Sequence, residues 1–146
     1  MKIERVWQMP NHQTFEIPKI SKLIDDEIDR TKALDPFPYP YQKDALKFLK
    51  ETPGNSFEYG LYDPPYSQRQ LREMYDSLGL HYEMNSSYWR KIEEQWTRII
   101  RMGGVVIRFG WNSKRMNGFE IIRILLVSHG GQHNDTIVTV QKRITN

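Results

Sequence analysis

Hydrophobic residues recur at helical spacing in several otherwise polar segments of the chain. The clearest of these patterns predicts an amphipathic helix over roughly 18–30. Its apolar members are Ile17, Ile20, Leu23, Ile24 and Ile28. Further helices are predicted over 44–50, 68–78 and 89–100. We expect the last helix to end at Gly103-Gly104, because glycine readily adopts the left-handed conformation found at helix ends.

Short runs rich in β-branched and aromatic residues lie between these helices and predict strands over 32–34, 57–62 and 105–109. Two longer runs, 119–127 and 136–141, are joined by a polar turn that contains glycine, which predicts an antiparallel pair at the edge or end of a sheet. Strands and helices alternate, and the chain closes in this pair. The pattern therefore predicts a three-layer α/β sandwich with a mostly parallel sheet.

Composition narrows the class of protein. The 146 residues are enough for one domain, 1–146, with a formal net charge of +3 that is compatible with a polyanionic partner. There is no cysteine and no apolar run of membrane-spanning length, which excludes disulfides and predicts no membrane partner. Residues 1–5 lack the continuous apolar stretch of a secretory signal, so a cytoplasmic protein is expected. The four histidines offer no convincing metal-ligand set, and no metal is expected.

The most informative segment is Asp63-Pro64-Pro65-Tyr66, which follows the predicted strand 57–62. Ligands of open α/β sheets bind at the carboxyl ends of strands. Asp63 and the Pro64 carbonyl are two acceptors that suit an exocyclic amine, and Tyr66 offers a ring on which a nucleobase can stack. Asp-Pro and Pro-Pro pairs are also common in turns, so the tetrapeptide alone leaves an ordinary turn open.

This stretch resembles the Asp-Pro-Pro-Tyr motif of S-adenosylmethionine-dependent amino-methyltransferases, chiefly those that act on adenine N6. Other segments are similar to the small adenine methyltransferases of bacteriophages and mobile elements, namely 9–15, 67–70, 87–89, 103–104, 109–113 and 129–136. The resemblance implies a Rossmann-like methyltransferase fold that ends in a reversed strand, with S-adenosylmethionine as the cofactor and DNA as the partner. It also implies that the target adenine flips out of the duplex and stacks on Tyr66. A phage-encoded enzyme would act in the cytoplasm of its bacterial host.

The resemblance also implies a cofactor site, of which two elements are present. Asp35-Pro36-Phe37 matches the segment that lies against the methionine moiety, and Asp44-Ala45 matches the one that contacts the cofactor's adenine. Only residues 38–43 lie between them, without glycine, whereas a crossover needs at least about 10–12 residues. We therefore expect the second strand, with its ribose-binding acid, to be absent. Tyr39 and Tyr41 or another subunit could complete the pocket.

Candidate nucleic-acid contacts flank the predicted catalytic loop and the strand 105–109. They are Ser67, Arg69, Trp111, Asn112, Ser113, Lys114, His129 and His133. Basic side chains neutralise phosphates, and the resemblance places 111–113 near the active-site cleft. The alternative for each basic side chain is solvated surface charge, and for the two histidines it is ordinary surface exposure.

Three classes of function remain open on the sequence. The first is an active DNA adenine-N6 methyltransferase. The others are a catalytically degenerate methyltransferase-like protein that binds nucleic acid, and one that binds a host protein, both without methyl transfer. RNA in place of DNA and assembly into a homo-oligomer are left open as well. The chain is too short for a separate target-recognition domain, so the target sequence of an enzyme should be short or relaxed.

Overall fold

The computed structural model describes residues 1–9, 14–37, 44–64, 76–77, 79, 87–131 and 135–145. Its strands are β1 (Lys2–Trp7), β2 (Ala33–Leu34), β3 (Phe57–Tyr62), β4 (Ile100–Gly110), β5 (Phe119–Ser128) and β6 (Thr136–Arg143). Its helices are α1 (Pro18–Glu27), α2 (Ala45–Glu51) and α3 (Tyr88–Ile99). Two short 3-10 helices, Thr14–Glu16 and Arg30–Lys32, flank α1. The helix predicted over 68–78 falls mostly outside the described residues.

The strands form one mixed sheet in the order β1-β5-β6-β4-β3-β2. β2 and β3, β3 and β4, and β1 and β5 are parallel neighbours, whereas β6 runs antiparallel to both β4 and β5. Five strands therefore share one direction and β6 is reversed. This confirms the predicted fold class, a small Rossmann-like α/β sandwich with a mostly parallel sheet and a closing antiparallel pair.

Helices cover both faces of the sheet, which gives the three predicted layers. On one face, α1 buries Leu23 and Ile24 in a hydrophobic cluster that also contains Ile107 of β4. On the other face, α2 and α3 contribute Leu49 and Trp96 to a second cluster. Each fully buried side chain of this kind stabilises the fold by about 1.5–3 kcal/mol. No helix in the described part of the chain is long and apolar enough to cross a membrane.

Trp96 of α3 is fully buried and lies directly over Gly60 of β3. A Cβ atom added at Gly60 would come within 2.4 Å of Cζ3 in the Trp96 ring. Glycine is therefore required at this point of β3, because any side chain would push the indole out of the core. This close packing fixes the distance between α3 and the strand that leads to Asp63.

Two predicted helix ends are wrong. α1 ends at Glu27 instead of near residue 30, and Ile28 is extended with a φ of -142°. Ile28 is nevertheless buried, so it continues the apolar pattern without being helical. α3 ends at Ile99, and Gly103-Gly104 lie inside β4, where its register against β3 shifts. Gly103 has the expected left-handed φ, 81°, but it serves an irregular strand and not a helix end.

β1 is a strand that the sequence pattern did not predict. The polar and apolar residues of Lys2–Trp7 do not alternate cleanly, although the exposure of the side chains alternates from Ile3 to Trp7. β1 pairs with β5 along its whole length, so the β5–β6 pair does not form the edge of the sheet as expected. Arg123 of β5 links β1 and α1 to this part of the sheet, with ion pairs of 3.0 Å to Glu4 of β1 and 3.1 Å to Glu27 of α1. The hydrogen bond from Arg123 holds the pKa of the Glu4 carboxyl below its usual range.

Candidate active site

Two carboxylates follow neighbouring parallel strands at the same edge of the sheet. Asp35 comes directly after β2 and Asp63 directly after β3. β2 and β3 are in register from Ala33 opposite Tyr59, so both carboxylates lie at the carboxyl edge where ligands of α/β sheets bind. The structure thus brings together one residue of the predicted catalytic loop and one of the predicted cofactor segment.

The Asp63 carboxyl is largely buried, and this burial raises its pKa from the ordinary 3.8 to about 7. The negative charge of Asp35 adds to the rise, and a hydrogen bond from the Thr14 side chain opposes it. Burial likewise raises the pKa of Asp35 to about 6, against a hydrogen bond of 3.4 Å from the Phe37 backbone N–H. The ionised Asp35 carboxylate therefore disfavours the ionisation of Asp63, in addition to the effect of burial.

No lysine or arginine forms an ion pair with either carboxylate among the residues that the structure describes. Buried charges are normally paired, because an unpaired charge in a low-dielectric site is costly. Within the described ranges the pair has no positive partner, so a cationic group of a ligand would be a favourable partner for it. The described residues contain no group of three or more metal-ligating side chains.

Aromatic side chains next to this edge of the sheet pack against one another. Phe37 is stacked on Tyr62 with ring centroids 6.2 Å apart and contacts Trp89 at 6.2 Å. Only 5% of Phe37 is exposed, and Pro36 is buried too. In the described part of the molecule Phe37 thus acts mainly as a core residue that fixes the backbone beside Asp35. Trp89 is half-buried against the same core, in agreement with packing as its main role.

Asp44 and Ala45, predicted to bind the cofactor, begin α2. Asp44 Oδ2 accepts a hydrogen bond of 3.2 Å from the Lys47 backbone N–H and caps the helix, while Oδ1 accepts one of 2.8 Å from the Tyr88 hydroxyl. Ala45 is fully buried. Asp44 therefore joins α2 to α3, and a ligand could use only the lone pairs that these two donors leave free.

The loop after β4 carries four of the predicted nucleic-acid contacts, Trp111, Asn112, Ser113 and Lys114. All four are exposed. Asn112 Oδ1 accepts hydrogen bonds of 3.0 Å from Arg108 of β4 and 3.0 Å from the Lys114 backbone N–H. Lys114 Nζ lies 3.1 Å from Glu93 of α3. Asn112 and Lys114 thus hold the loop against β4 and α3, while 47% of Trp111 remains exposed at the sheet's carboxyl edge.

His129 was expected on the surface, and that expectation is wrong. The residue is only 8% exposed. Its Nδ1 lies 3.0 Å from the Gln8 carbonyl oxygen and its Nε2 lies 2.8 Å from Thr136 Oγ1. The ring bridges the end of β1 and the start of β6, so contact with a phosphate would require the loss of one of these hydrogen bonds.

Several predicted site residues lie outside the described residues. They are Pro65, Tyr66, Ser67, Arg69 and His133. Pro64 is described and half-buried beside Asp63.

Two residues near the site were not singled out from the sequence. Thr14 lies near Asp63 and opposes the rise in its pKa, and the only sequence signal for it is its place in the segment 9–15 that resembles the phage enzymes. Arg108 is 11% exposed, approaches Glu93 at 3.9 Å and lies over the Tyr62 ring at 6.0 Å. Inside a β-branched strand pattern, nothing marks Arg108 as an anchor of the following loop.

Comparison with known proteins gives little further identification. No protein-family model matches the chain, and no curated protein matches it. Among solved structures, it is similar to that of the putative methylase HI0767 from Haemophilus influenzae, with a TM-score of 0.38 and 14% identity. The match covers 68% of this chain and 46% of that one, so the chain spans about half of the length of that protein. The description of the fold therefore rests on the strand order, and that of the candidate site rests on the carboxylate pair.

Proposed function

We propose that the protein is an S-adenosylmethionine-dependent methyltransferase that methylates adenine N6 in DNA and is encoded by a phage or mobile element. The observation that carries the proposal is the placement of Asp63-Pro64 beside Asp35, at the carboxyl ends of adjacent parallel strands, without a basic partner among the described residues. This arrangement offers hydrogen-bond acceptors to an amine and negative charge to a cation.

The charge of the pair suits the proposed cofactor. S-adenosylmethionine, when bound, supplies an activated methyl group on a cationic sulfonium and also carries an ammonium group. Asp35 would face this positive charge from the end of β2, with Phe37 packed beneath it. Positive charge near the pair favours the ionised carboxylates and so lowers their pKa values. The residues present therefore fit a cationic cofactor.

Asp63 and Pro64 would orient the target amine. The ionised Asp63 carboxylate and the Pro64 carbonyl each accept one N6 hydrogen, which directs the nitrogen lone pair toward the methyl group. Alignment of this kind can contribute several kcal/mol to the rate, because the electrophile needs no further activation. Because the Asp63 carboxylate accepts one of these hydrogens, it is also placed to take up the proton that the methylated nitrogen releases.

One observation favours a second candidate, a methyltransferase-like protein that binds nucleic acid or a host protein without methyl transfer. β2 has two residues and forms the edge of the sheet in the described part of the chain. No described strand lies beyond it to carry a ribose-binding acid, in line with the short segment 38–43. The cofactor would then be held by fewer contacts than in the enzymes that this sequence resembles.

Two measurements on the same protein separate the candidates. Calorimetric titration with S-adenosylmethionine and with its demethylated product tests for cofactor binding. Transfer of labelled methyl to duplexes that contain adenine, with duplexes that lack adenine as the reference, tests the reaction. We expect Asp63→Ala to abolish transfer and Asp25→Ala, the same change on the exposed side of α1, to leave it intact. Absence of heat at millimolar ligand would eliminate the enzyme and leave the binding protein.

A further inference from the structure

Two of the four tryptophans are exposed, and both lie at the edge of the sheet that carries Asp63. Trp89 and Trp96 pack in the core. By contrast, 59% of Trp7 and 47% of Trp111 is exposed. Trp7 is the last residue of β1 and Trp111 directly follows β4, and both strands run in the direction of β3. Both tryptophans therefore lie at the carboxyl edge, where ligands of α/β sheets bind.

The strand register sets the two tryptophans at nearly the same level of this edge. Gly110 of β4 and Arg5 of β1 belong to one row of paired residues that crosses β6 and β5. Trp111 lies one residue beyond this row and Trp7 two residues beyond it. Two strands separate β1 from β4, so the two backbones are about 14 Å apart at the usual strand spacing. Asp63 follows β3, the neighbour of β4, so Trp7 is the farther of the two tryptophans from the site.

Trp7 is exposed but held in place by its surroundings. A Cβ atom added at Gly130 would come within 3.0 Å of Trp7 Nε1, so the indole lies against this glycine in the loop after β5. The next residue, Gln8, continues the pairing, since its N–H donates a hydrogen bond of 3.0 Å to the Ser128 carbonyl oxygen. The Gln8 carbonyl oxygen in turn lies 3.0 Å from His129 Nδ1. The exposed part of the ring is therefore fixed before a ligand binds, which lowers the entropic cost of binding.

The loop that carries Trp111 is held in a similar way, and a cation lies near Trp7. Asn112 Oδ1 accepts two hydrogen bonds of 3.0 Å, one of them from Arg108 of β4, and so fixes the backbone next to Trp111. The exposed Arg5 precedes Trp7 by two residues and therefore lies on the same side of β1. A cation in this position can neutralise a phosphate of a nucleic-acid strand that crosses the edge.

Two fixed aromatic rings beside a cation suit unpaired nucleobases. A base stacks on an exposed aromatic side chain whatever its identity, because every base has a π-face. The bases of a duplex are already stacked on their neighbours, so such rings add affinity only when the strand is unpaired. We propose that Trp7 and Trp111 form a stacking surface for an unpaired DNA strand that leads to Asp63, which makes single-stranded DNA the preferred substrate. This inference rests on the proposed function and names its substrate class.

Binding of a labelled DNA strand, either free or annealed to its complement, tests the inference without cofactor and at one salt concentration. We expect the wild type to bind the free strand more tightly than the duplex. Trp7→Ala should weaken binding of the free strand about tenfold, because one stacked base is lost, and should leave binding of the duplex nearly unchanged. Trp7→Phe keeps a ring and should bind the free strand nearly as tightly as the wild type.

Met102→Ala is a matched control, because Met102 is 55% exposed near the start of β4, at the opposite edge of the sheet. It should leave both affinities unchanged. A wild type that binds the duplex as tightly as the free strand, or a Trp7→Ala variant that binds the free strand like the wild type, would overturn the inference. If Trp7→Ala does not fold, photo-crosslinking of the wild type to a strand that contains iodouracil replaces it, and the absence of crosslinks to Trp7 would refute the stacking contact.

Methyl transfer separates this inference from the proposed function. If the wild type transfers labelled methyl to neither the free strand nor the duplex, the proposed function fails. The binding comparison contains no cofactor and still decides the role of Trp7. Conversely, a protein that methylates DNA but binds the free strand equally well without the Trp7 ring would keep the proposed function and lose this inference.

Discussion

Replacement of Asp63 by asparagine is expected to stabilise the ligand-free protein at alkaline pH. Burial and the neighbouring Asp35 raise the pKa of Asp63 from 3.8 to about 7, so its negative charge is unfavourable in the folded state. Asparagine has nearly the same shape, but it carries no charge. The substitution therefore removes mainly the cost of ionisation.

The size and pH dependence of this effect follow from the two pKa values. Below about pH 4 the carboxyl is protonated in folded and unfolded protein alike, and its ionisation does not affect stability. Between about pH 4 and pH 7 the unfolded chain loses the proton first, so the stability of the wild type falls as pH rises. Above this range the loss is complete. With about 1.4 kcal/mol per pH unit, the rise from 3.8 to about 7 corresponds to roughly 4 kcal/mol at most. Because Asp63 keeps some contact with solvent, we expect about 2 to 4 kcal/mol.

Urea unfolding at pH 4.5 and pH 8 measures this difference. Asp63→Asn should shift the midpoint to higher urea at pH 8 and much less at pH 4.5, with an unchanged slope. Asp25→Asn on α1 serves as the surface control and should show no such dependence. A variant that is no more stable than wild type at pH 8, or that gains equally at both pH values, would refute this account of the buried charge.

Three further substitutions test the packing and bonding described above. Gly60→Ala should lower the free energy of unfolding by about 3 kcal/mol or more, because the buried tryptophan of α3 leaves no space for a methyl group. Gly54→Ala, whose added carbon would meet its nearest atom at an ordinary 3.5 Å, should be nearly neutral in the same denaturation experiment. Tyr88→Phe removes the 2.8 Å hydrogen bond to Asp44 and should cost about 1 kcal/mol, and an unchanged melting temperature would show that this bond contributes nothing. His129→Ala should lower stability by about 2–3 kcal/mol without a change in DNA affinity, and a selective loss of DNA affinity would instead support its predicted role as a nucleic-acid contact.

Elements with a strong local pattern were predictable from sequence. α2 and β3 have regular apolar spacing and clear turn residues at their ends, and both lie where the pattern placed them. The reversed strand β6 was also predicted, because its β-branched residues and the preceding turn are local signals. Polar and apolar residue types do not alternate along the edge strand β1, so its pairing with β5 decides its structure.

The candidate site was predictable only in part, since hydrogen-bond partners depend on tertiary structure. The place of Asp63 after a strand follows from the sequence, and its proximity to Asp35 follows from parallel pairing. The hydrogen bonds that join Asp44 to Tyr88 and His129 to Gln8 involve residues distant in the chain. A residue type near a motif therefore does not distinguish a ligand contact from an internal hydrogen bond.

The pairing of β1 with β5 has a consequence for how the chain folds during synthesis. Lys2 pairs with Arg123, so β1 has no partner until most of the described chain has left the ribosome. Contacts between such distant residues form slowly, because the entropy of closing the intervening loop is lost before the pairing compensates for it. Until then Ile3 and Trp7, which remain exposed even in the finished sheet, are available to other unpaired strands. β1 should therefore remain open to pairing with other chains until β5 has been synthesised and pairs with it.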